Sequence, residues 1–431
     1  MDESQDVVSK GRLDGYYARS WRILAIAWLA YCVDVFMRYN IPTVMPILRQ
    51  TYHWSASTMG WVDSAYLWAY ALTQIPWGYV SEKWIGARWT VSLGTAMIAL
   101  ASVAFAFHVS SLWLGITARA IIGAGAAAIW VPLNPALARW FAPRHRGLQT
   151  GILGTASPVG TLLGGGAMPF LLTGSVALFG LSTLQSGFLW SAIPGLIITV
   201  LVPLVIRNRP EDLGLASLDN NQTVTGKPMK EPGFGHIMSH SWYPYILALV
   251  YAGYLGSLYF VWTWFAAFLN SAYGIDVRSA GLLWAFAATV PAVVSQPVGG
   301  YLSDRLGRSR TVRAALVATT ICSLLFVVFA LLGPRIVPWW AVISLTIVFT
   351  LFVNMWVLVW PFTTLMFPTK AGGAVGGFMN TVGQLVGASA PVVSGYLLDA
   401  TGSYVLIFLA GAVCALIGFF ASFWLKEYRV I

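Results

Sequence analysis

The sequence predicts an all-α membrane protein of twelve transmembrane helices in two pseudo-symmetric six-helix halves. Three observations predict it. The composition is far too apolar for a soluble chain, twelve apolar stretches are long enough to cross a bilayer, and a short polar turn recurs at the same place in each half.

Of 431 residues, 58% are hydrophobic and 9% charged, with a mean hydropathy of +0.72. A soluble chain averages roughly 25% charged residues, so most of this surface cannot face water. The net charge of +10 does not point to nucleic acid, because Lys and Arg form no dense run and the polar segments are too short for a binding domain. Cys32, Cys322 and Cys414 all fall in apolar stretches, an odd count that reads as core filling and not as a disulfide framework. The opening residues are polar and the first apolar stretch is long enough to span, so that helix is expected to direct its own insertion with no cleavable signal.

A span needs about 20 apolar residues. Twelve stretches qualify: 21–48, 57–80, 88–108, 111–138, 148–172, 186–206, 241–268, 279–302, 312–333, 338–366, 372–398 and 403–425. The longest polar break divides them six and six. It predicts bundles at 1–206 and 241–431 joined by a cytoplasmic linker at 207–240. Within the linker, Arg207-Asn208-Arg209-Pro210-Glu211-Asp212 reads as a helix stop and a turn, and Asn220 to Gly235 as flexible chain. Placing both termini in the cytoplasm puts nearly every Lys and Arg of the loops inside and leaves only Arg49, Arg278 and Arg335 outside. A multi-pass protein of the cell membrane is expected. Asn221-Gln222-Thr223 matches a glycosylation acceptor but falls inside on this topology, and is read as chance.

The recurring turn is Gly78-Tyr79-Val80-Ser81-Glu82-Lys83-Trp84-Ile85-Gly86-Ala87-Arg88 in one half and Gly300-Tyr301-Leu302-Ser303-Asp304-Arg305-Leu306-Gly307-Arg308-Ser309-Arg310 in the other. Plain loop charge would explain one copy. Two copies at equivalent places indicate two related halves, the construction of many secondary transporters. The pattern resembles the signature loop of the major facilitator superfamily, between helices two and three and again between eight and nine. The second copy fits closely; the first has Glu for Asp and one extra residue, Ile85, before its glycine. The resemblance implies a twelve-helix carrier in which Glu82, Lys83, Asp304 and Arg305 latch the inner gate. An acid there can sit against the positive N-terminus of a helix from the opposite half.

Met37-Arg38-Tyr39-Asn40, Gln74-Ile75-Pro76-Trp77-Gly78, Arg119-Ala120-Ile121-Ile122-Gly123 and Gly376-Gly377-Phe378-Met379-Asn380 resemble the anion:cation symporter branch of that superfamily. Its members carry sugar acids and other organic anions, generally with protons or sodium.

Four ionisable residues lie well within the predicted spans: Asp34, Arg38, Asp63 and Arg119. A charge at that depth costs about 3 kcal/mol or more and is functional by default. Counting from Arg22 and Arg139 at 1.5 Å per residue, Arg38 and Arg119 sit roughly 24 and 30 Å from the inner edge, on antiparallel helices. They can therefore meet at similar depth. The resemblance implies that they hold a substrate carboxylate, a task suited to a permanently charged planar fork of donors. The competing role is structural, with each arginine satisfied by carbonyls.

Asp34 stands four residues before Arg38 on the same helix face. It either makes Arg38 tolerable in lipid or couples protons to the anion, its protonation freeing Arg38 for an incoming carboxylate. The related symporters often place a proton-carrying glutamate seven residues after the helix-four arginine; here that position is Ala126. Asp34 or Asp63 then takes the proton, or coupling is absent. Asp63, Tyr66, Tyr70 and Gln74 form one polar stripe. By resemblance Tyr70 contacts substrate, whereas Asp63 has the alternative of a place at the outer water interface. In the second half Gln296, Asn354, Asn380 and Gln384 are the polar candidates, with Asn380 matching the branch's helix-eleven asparagine. Trp360, Trp262 and Tyr259 are candidates to stack on a ligand, against the commoner role of packing. The small residues of 151–166 and 372–395 suggest close helix contacts that rock between states.

No phosphate-cradling loop, metal-ligand spacing or Ser/His/Asp set is present, so neither an enzyme nor a nucleotide-driven pump is expected, and no cofactor. The expected function is proton-coupled symport of a small organic anion by alternating access, with Arg38, Arg119, Tyr70, Asn380 and Trp360 binding substrate. Exchange or uncoupled facilitation is the alternative, and a transporter-like sensor a further one. The expected partners are the anion, a proton or sodium ion, and the bilayer. The chain is expected to act as a monomer.

Overall fold

A computed structural model describes residues 3–41, 48, 52–53, 56–108, 110–174, 176–178, 180–215, 232–368 and 371–426. The first half contains α1 (Glu3–Met37), α2 (Ala56–Val80), α3 (Gly86–Phe107), α4 (Leu112–Ala138), α5 (Arg146–Gly154), α6 (Ala156–Gly174) and α7 (Thr183–Val205). After the short α8 (Phe234–His240) come α9 (Tyr243–Tyr273), α10 (Val277–Leu306), α11 (Arg308–Leu332), α12 (Trp339–Val353), α13 (Trp360–Leu365), α14 (Gly372–Thr401) and α15 (Val405–Ser422). Each of the twelve predicted stretches contains a helical rod among the described residues, the fold expected from the apolar pattern; the first rod ends at Met37, short of the expected 48. Residues 216–231 of the expected linker, including Asn221-Gln222-Thr223, lie outside the described residues.

The fifth and tenth rods are interrupted within the described residues, and the sequence explains each place. The fifth pauses at Thr155, whose hydroxyl donates to the Ile152 carbonyl at 2.8 Å and accepts from Trp28 Nε1 at 2.8 Å. The tenth tightens to a 3₁₀ segment over Asn354–Val359, and the Asn354 amide turns back on the Thr350 carbonyl at 3.1 Å. Mid-helix 3₁₀ turns of this kind often mark hinges.

The extra residue of the first polar turn is absorbed locally. Ser81–Ile85 forms one π turn, which accommodates a single inserted residue without disturbing the helices on either side. Both copies then end on a glycine at positive φ, Gly86 at 73° and Gly307 at 100°, a conformation that residues with a Cβ rarely adopt.

With little hydrophobic drive between helices in lipid, close packing depends on small residues. A Cβ on Gly253 of α9 would stand 2.6 Å from Gly418 Cα of α15 and 2.9 Å from the Cys414 carbonyl oxygen. Gly253→Val is therefore expected to destabilise the protein by about 1–3 kcal/mol through backbone overpacking. The check is its thermal unfolding midpoint in detergent beside that of Gly281→Val, where a Cβ meets nothing within 4 Å. Equal midpoints would refute the assignment.

Candidate functional site

A cavity of about 680 Å³ lies between the two sets of helices. One wall is charged. Arg38, just past the end of α1, pairs with Asp34 through both guanidinium edges: Nε reaches Oδ1 at 3.2 Å, and Nη2 reaches Oδ2. The Asp34 side chain is fully buried, so an ionised carboxylate there needs this partner. Arg119 of α4, also buried, donates from Nη1 to the Arg38 carbonyl at 3.1 Å. The two arginines expected to meet do meet.

Tyrosines bind this pair together. Tyr66 of α2 presents its ring 4.6 Å from the Arg119 guanidinium and 5.8 Å from that of Arg38. Tyr70, stacked on Tyr66 at 5.7 Å between centroids, lies 5.2 Å from Arg38, and Tyr31 lies 5.9 Å from it. Ring faces stabilise a cation where water is scarce. The Tyr66 hydroxyl is buried and has no hydrogen-bond partner among the described residues. Asp63 lies on α2, but its side chain is outside what the structure describes.

The opposite wall is amide and aromatic. Tyr70 and Asn380 both line the cavity and touch across it: Asn380 Nδ2 donates to Gln74 Oε1 at 2.9 Å and to the Tyr70 hydroxyl at 3.4 Å, while Tyr251 donates to Asn380 Oδ1 at 2.9 Å. Asn380 is thus a clasp between the helix sets. Gln296, Asn354 and Gln384 also line the cavity, as do Tyr259 and Trp262. Trp360 stands one layer back, edge-on to the lining residues Trp130 (5.5 Å) and Tyr251 (6.0 Å) and against Gly376.

The polar turns close one end of the bundle. Asp304 accepts from the backbone N–H of Gly147 at 3.0 Å and of Leu148 at 2.8 Å, at the N-terminus of α5. Glu82 accepts from the N–H of Gly373 at the N-terminus of α14. Both acids therefore sit where a helix dipole and unsatisfied N–H groups favour negative charge. The bases divide differently. Lys83 turns back to donate to the Tyr79 hydroxyl at 2.7 Å, and Arg305 lies 4.8 Å over the Tyr301 ring. Arg308 is the base that crosses, donating at 2.6 Å both to the Pro143 carbonyl and to Asp304. Beside this end, burial and the neighbouring Arg209 push the Arg139 guanidinium down to about 10, so it is still a cation near Glu82 at neutral pH.

The glycine contacts of the two closures correspond, and they differ at one position facing the glutamine. Gly78 packs on Gly373 and Gly377 on the Gln74 backbone; Gly300 packs on Gly147 and Gly151 on the Gln296 backbone. The position matching Asn380 is Gly154, which faces Gln296 Oε1. So Gln74 has its amide partner and Gln296 does not. Gln296 is 1% exposed, and both its side-chain polar atoms lack partners among the described residues. Sequence reasoning named Gln296 without seeing this; aligning the two polar turns, each four residues after its glutamine, was the available signal.

A central cavity with a cationic wall, set among membrane-spanning helices and latched at one end, is the architecture of a membrane transporter and not of an enzyme. The chain belongs to the Major Facilitator Superfamily, whose family model matches residues 27–391. It is 27% identical to a probable sulfoacetate transporter of Cupriavidus necator over 95% of this chain and 94% of that one. It is 23% identical to a hexuronate transporter of Bacillus subtilis over 90% of each. The crystal structure of the transporter FucP in its outward conformation shares the fold, with a TM-score of 0.72 at 16% identity over 93% of this chain and 97% of that one.

Proposed function

We propose that this transporter carries a small organic anion across the cell membrane by alternating access, in symport with a proton bound at Asp34. The observation that carries the reading is the pair of guanidiniums on one cavity wall, joined through the Arg38 carbonyl and the Tyr66 ring. Arg119 and Arg38 hold the carboxylate; the Tyr66 hydroxyl and the Gln296 amide offer further hydrogen bonds. Asn380 clasps the halves, and Trp360 backs the wall that Trp130 and Tyr251 present. The similarity to a probable sulfoacetate transporter and to a hexuronate transporter supports an anionic substrate.

The bundles at 1–206 and 241–431 are the units that rock. With both termini cytoplasmic, the closed end is the inner gate, held by Glu82 and Asp304, and this conformation faces outward. Lys83 and Arg305 brace the two turns against their own tyrosines. Proton coupling follows from charge. Protonating Asp34 releases the Arg38 fork, and the entering carboxylate replaces the lost negative charge. Lower pH on the side of entry is thus expected to favour loading.

Uptake of labelled mono- and dicarboxylates and sugar acids into proteoliposomes, with and without an inward proton gradient, tests the reading. The wild type is expected to accumulate an anion only with the gradient. Asp34→Asn is expected to lose that accumulation and keep exchange against internal anion. Gradient-driven accumulation that survives in Asp34→Asn would move coupling to Asp63. Uptake indifferent to the gradient in the wild type would favour the exchanger that Ala126, in place of a glutamate, suits.

A further inference from the structure

Among the described residues that line the cavity, Asn354, Asn380 and Gln296 carry buried amides. Two of them are engaged within the protein. Asn380 accepts from Tyr251 at 2.9 Å and donates to Gln74 and Tyr70, and the Asn354 nitrogen donates to the Thr350 carbonyl at 3.1 Å. Gln296 of α10 differs. It is 1% exposed, and neither Nε2 nor Oε1 has a partner among the described residues. A buried amide left in that condition is costly and calls for a physical reason.

Packing explains why no side chain of α5 answers it. A Cβ on Gly151 would lie 2.3 Å from the Gln296 carbonyl oxygen, and one on Gly154 would lie 2.5 Å from Oε1. The pseudo-symmetric place in the other half is taken by Asn380, which gives Gln74 its partner at 2.9 Å. Glycine at 154 withholds that partner and fixes the amide by close backbone approach. The wall from Gln296 to the arginines is continuous. A Cβ on Gly154 would also meet Val357, at 2.7 Å; the adjoining Trp356 has its ring 5.4 Å from Trp130, Trp130 stands 4.7 Å from Tyr31, and Tyr31 lies 5.9 Å from the Arg38 guanidinium. All three rings line the cavity. A ligand lying along them meets the guanidiniums at one end and Gln296 at the other.

An amide presents a donor and an acceptor side by side. A hydroxyl or a carboxamide answers both, because each donates and accepts. An ionised carboxylate only accepts and leaves Oε1 bare, and a methyl group leaves both atoms bare. Resting on the organic-anion reading above, we infer that Gln296 sets the specificity of this transporter by binding a hydroxyl or carboxamide that the substrate carries away from its carboxylate. Arg38 and Arg119 hold the carboxylate in the first half, and Gln296 reads the far end from the second.

The test is equilibrium binding to the purified full chain in lipid nanodiscs. The probes are labelled 5-hydroxypentanoate, glutaramate, pentanoate and glutarate, acids of one chain length that differ only at the far end. The hydroxyl and carboxamide acids should bind the wild type at least about tenfold more tightly than the other two, and the tighter of them names the group to which Gln296 is fitted. Gln296→Met, which keeps the length and removes the amide, should bring both within about threefold of pentanoate. Pentanoate affinity itself should stay within about threefold of wild type, showing that the arginine wall still folds. Should Gln296→Met not fold, Gly154→Ala carries the test: its Cβ, 2.5 Å from Oε1, displaces the amide and should cut the preference at least about threefold. If the wild type binds none of the probes but binds another anion of the uptake panel, Gln296→Met should weaken that anion at least about tenfold. Absence of the preference in the wild type, or variants that leave the preference or that anion's affinity unchanged, overturns the inference and leaves the organic-anion reading standing; water then satisfies the amide. If the wild type binds neither the probes nor any anion of the panel, the organic-anion reading falls and the inference with it.

Discussion

Replacing Arg119 with alanine is expected to abolish anion uptake, and the loss should be one of binding. Arg119 is 3% exposed, donates to the Arg38 carbonyl at 3.1 Å and faces the Tyr66 ring at 4.6 Å. Removing one partner of a buried charge-assisted contact costs about 2–5 kcal/mol, or roughly thirtyfold to several thousandfold in affinity. Here the substrate carboxylate would also enter a pocket where Asp34 cancels the remaining guanidinium, so the upper part of that range is expected. Arg119→Lys should recover little, because an ammonium cannot both hold the Arg38 carbonyl and present a planar fork to a carboxylate. Proteoliposome uptake and equilibrium binding of the transported anion check this together. Near-normal binding in Arg119→Ala would make the arginine a strut for the turn after α1 and would remove the central support for an anionic substrate.

Substituting Gly300 with leucine is expected to prevent the closed end from forming. A Cβ there would lie 2.3 Å from the Gly147 carbonyl oxygen and 2.7 Å from its carbon. Both are backbone atoms and cannot rotate away, and the neighbouring N–H groups hold Asp304 at 3.0 and 2.8 Å. Overpacking of this kind costs about 1–3 kcal/mol in a single state, enough to shift a balanced two-state equilibrium about fivefold to more than a hundredfold. The state in which the halves part at this end does not feel the clash. Ser303 reports the change, being 1% exposed when the end is closed. In a background with Cys32, Cys322 and Cys414 replaced by serine, a Ser303→Cys reporter should react with maleimide at least about tenfold faster when Gly300→Leu is present. Transport should fall in parallel, since a protein held in one state cannot alternate. Unchanged labelling with normal uptake would mean that this contact is not the moving interface.

Both predictions began in the sequence and needed the structure to become specific. Arg119 and Arg38 stood out because a charge among apolar residues is expensive, and counting residues along antiparallel helices sufficed to bring them to one depth. The duplicated polar turn stood out because a repeat survives in the order of residues. What order does not carry is the partner on another helix. Lys83, Arg305 and Arg308 are similar bases in similar turns; only packing shows that Arg308 reaches Pro143 and Asp304 while the other two fold back on Tyr79 and Tyr301. Trp360 and Trp262 are likewise indistinguishable by type, yet one backs the wall and the other lines it.

The sequence by itself determined the apolar spans, their pairing into two related sets, the arginine pair and the acids of the turns. All of these follow from hydropathy, periodicity and repetition along one chain. The tertiary structure alone decided that Gln74 finds Asn380 while Gln296 meets Gly154, and that the extra Ile85 is taken up in a π turn. It also decided that ten aromatic residues from distant helices share one cavity. The physical reason is the same in each case: these contacts are set by how closely helices approach and which faces they turn to one another, and that depends on side chains far apart in the sequence.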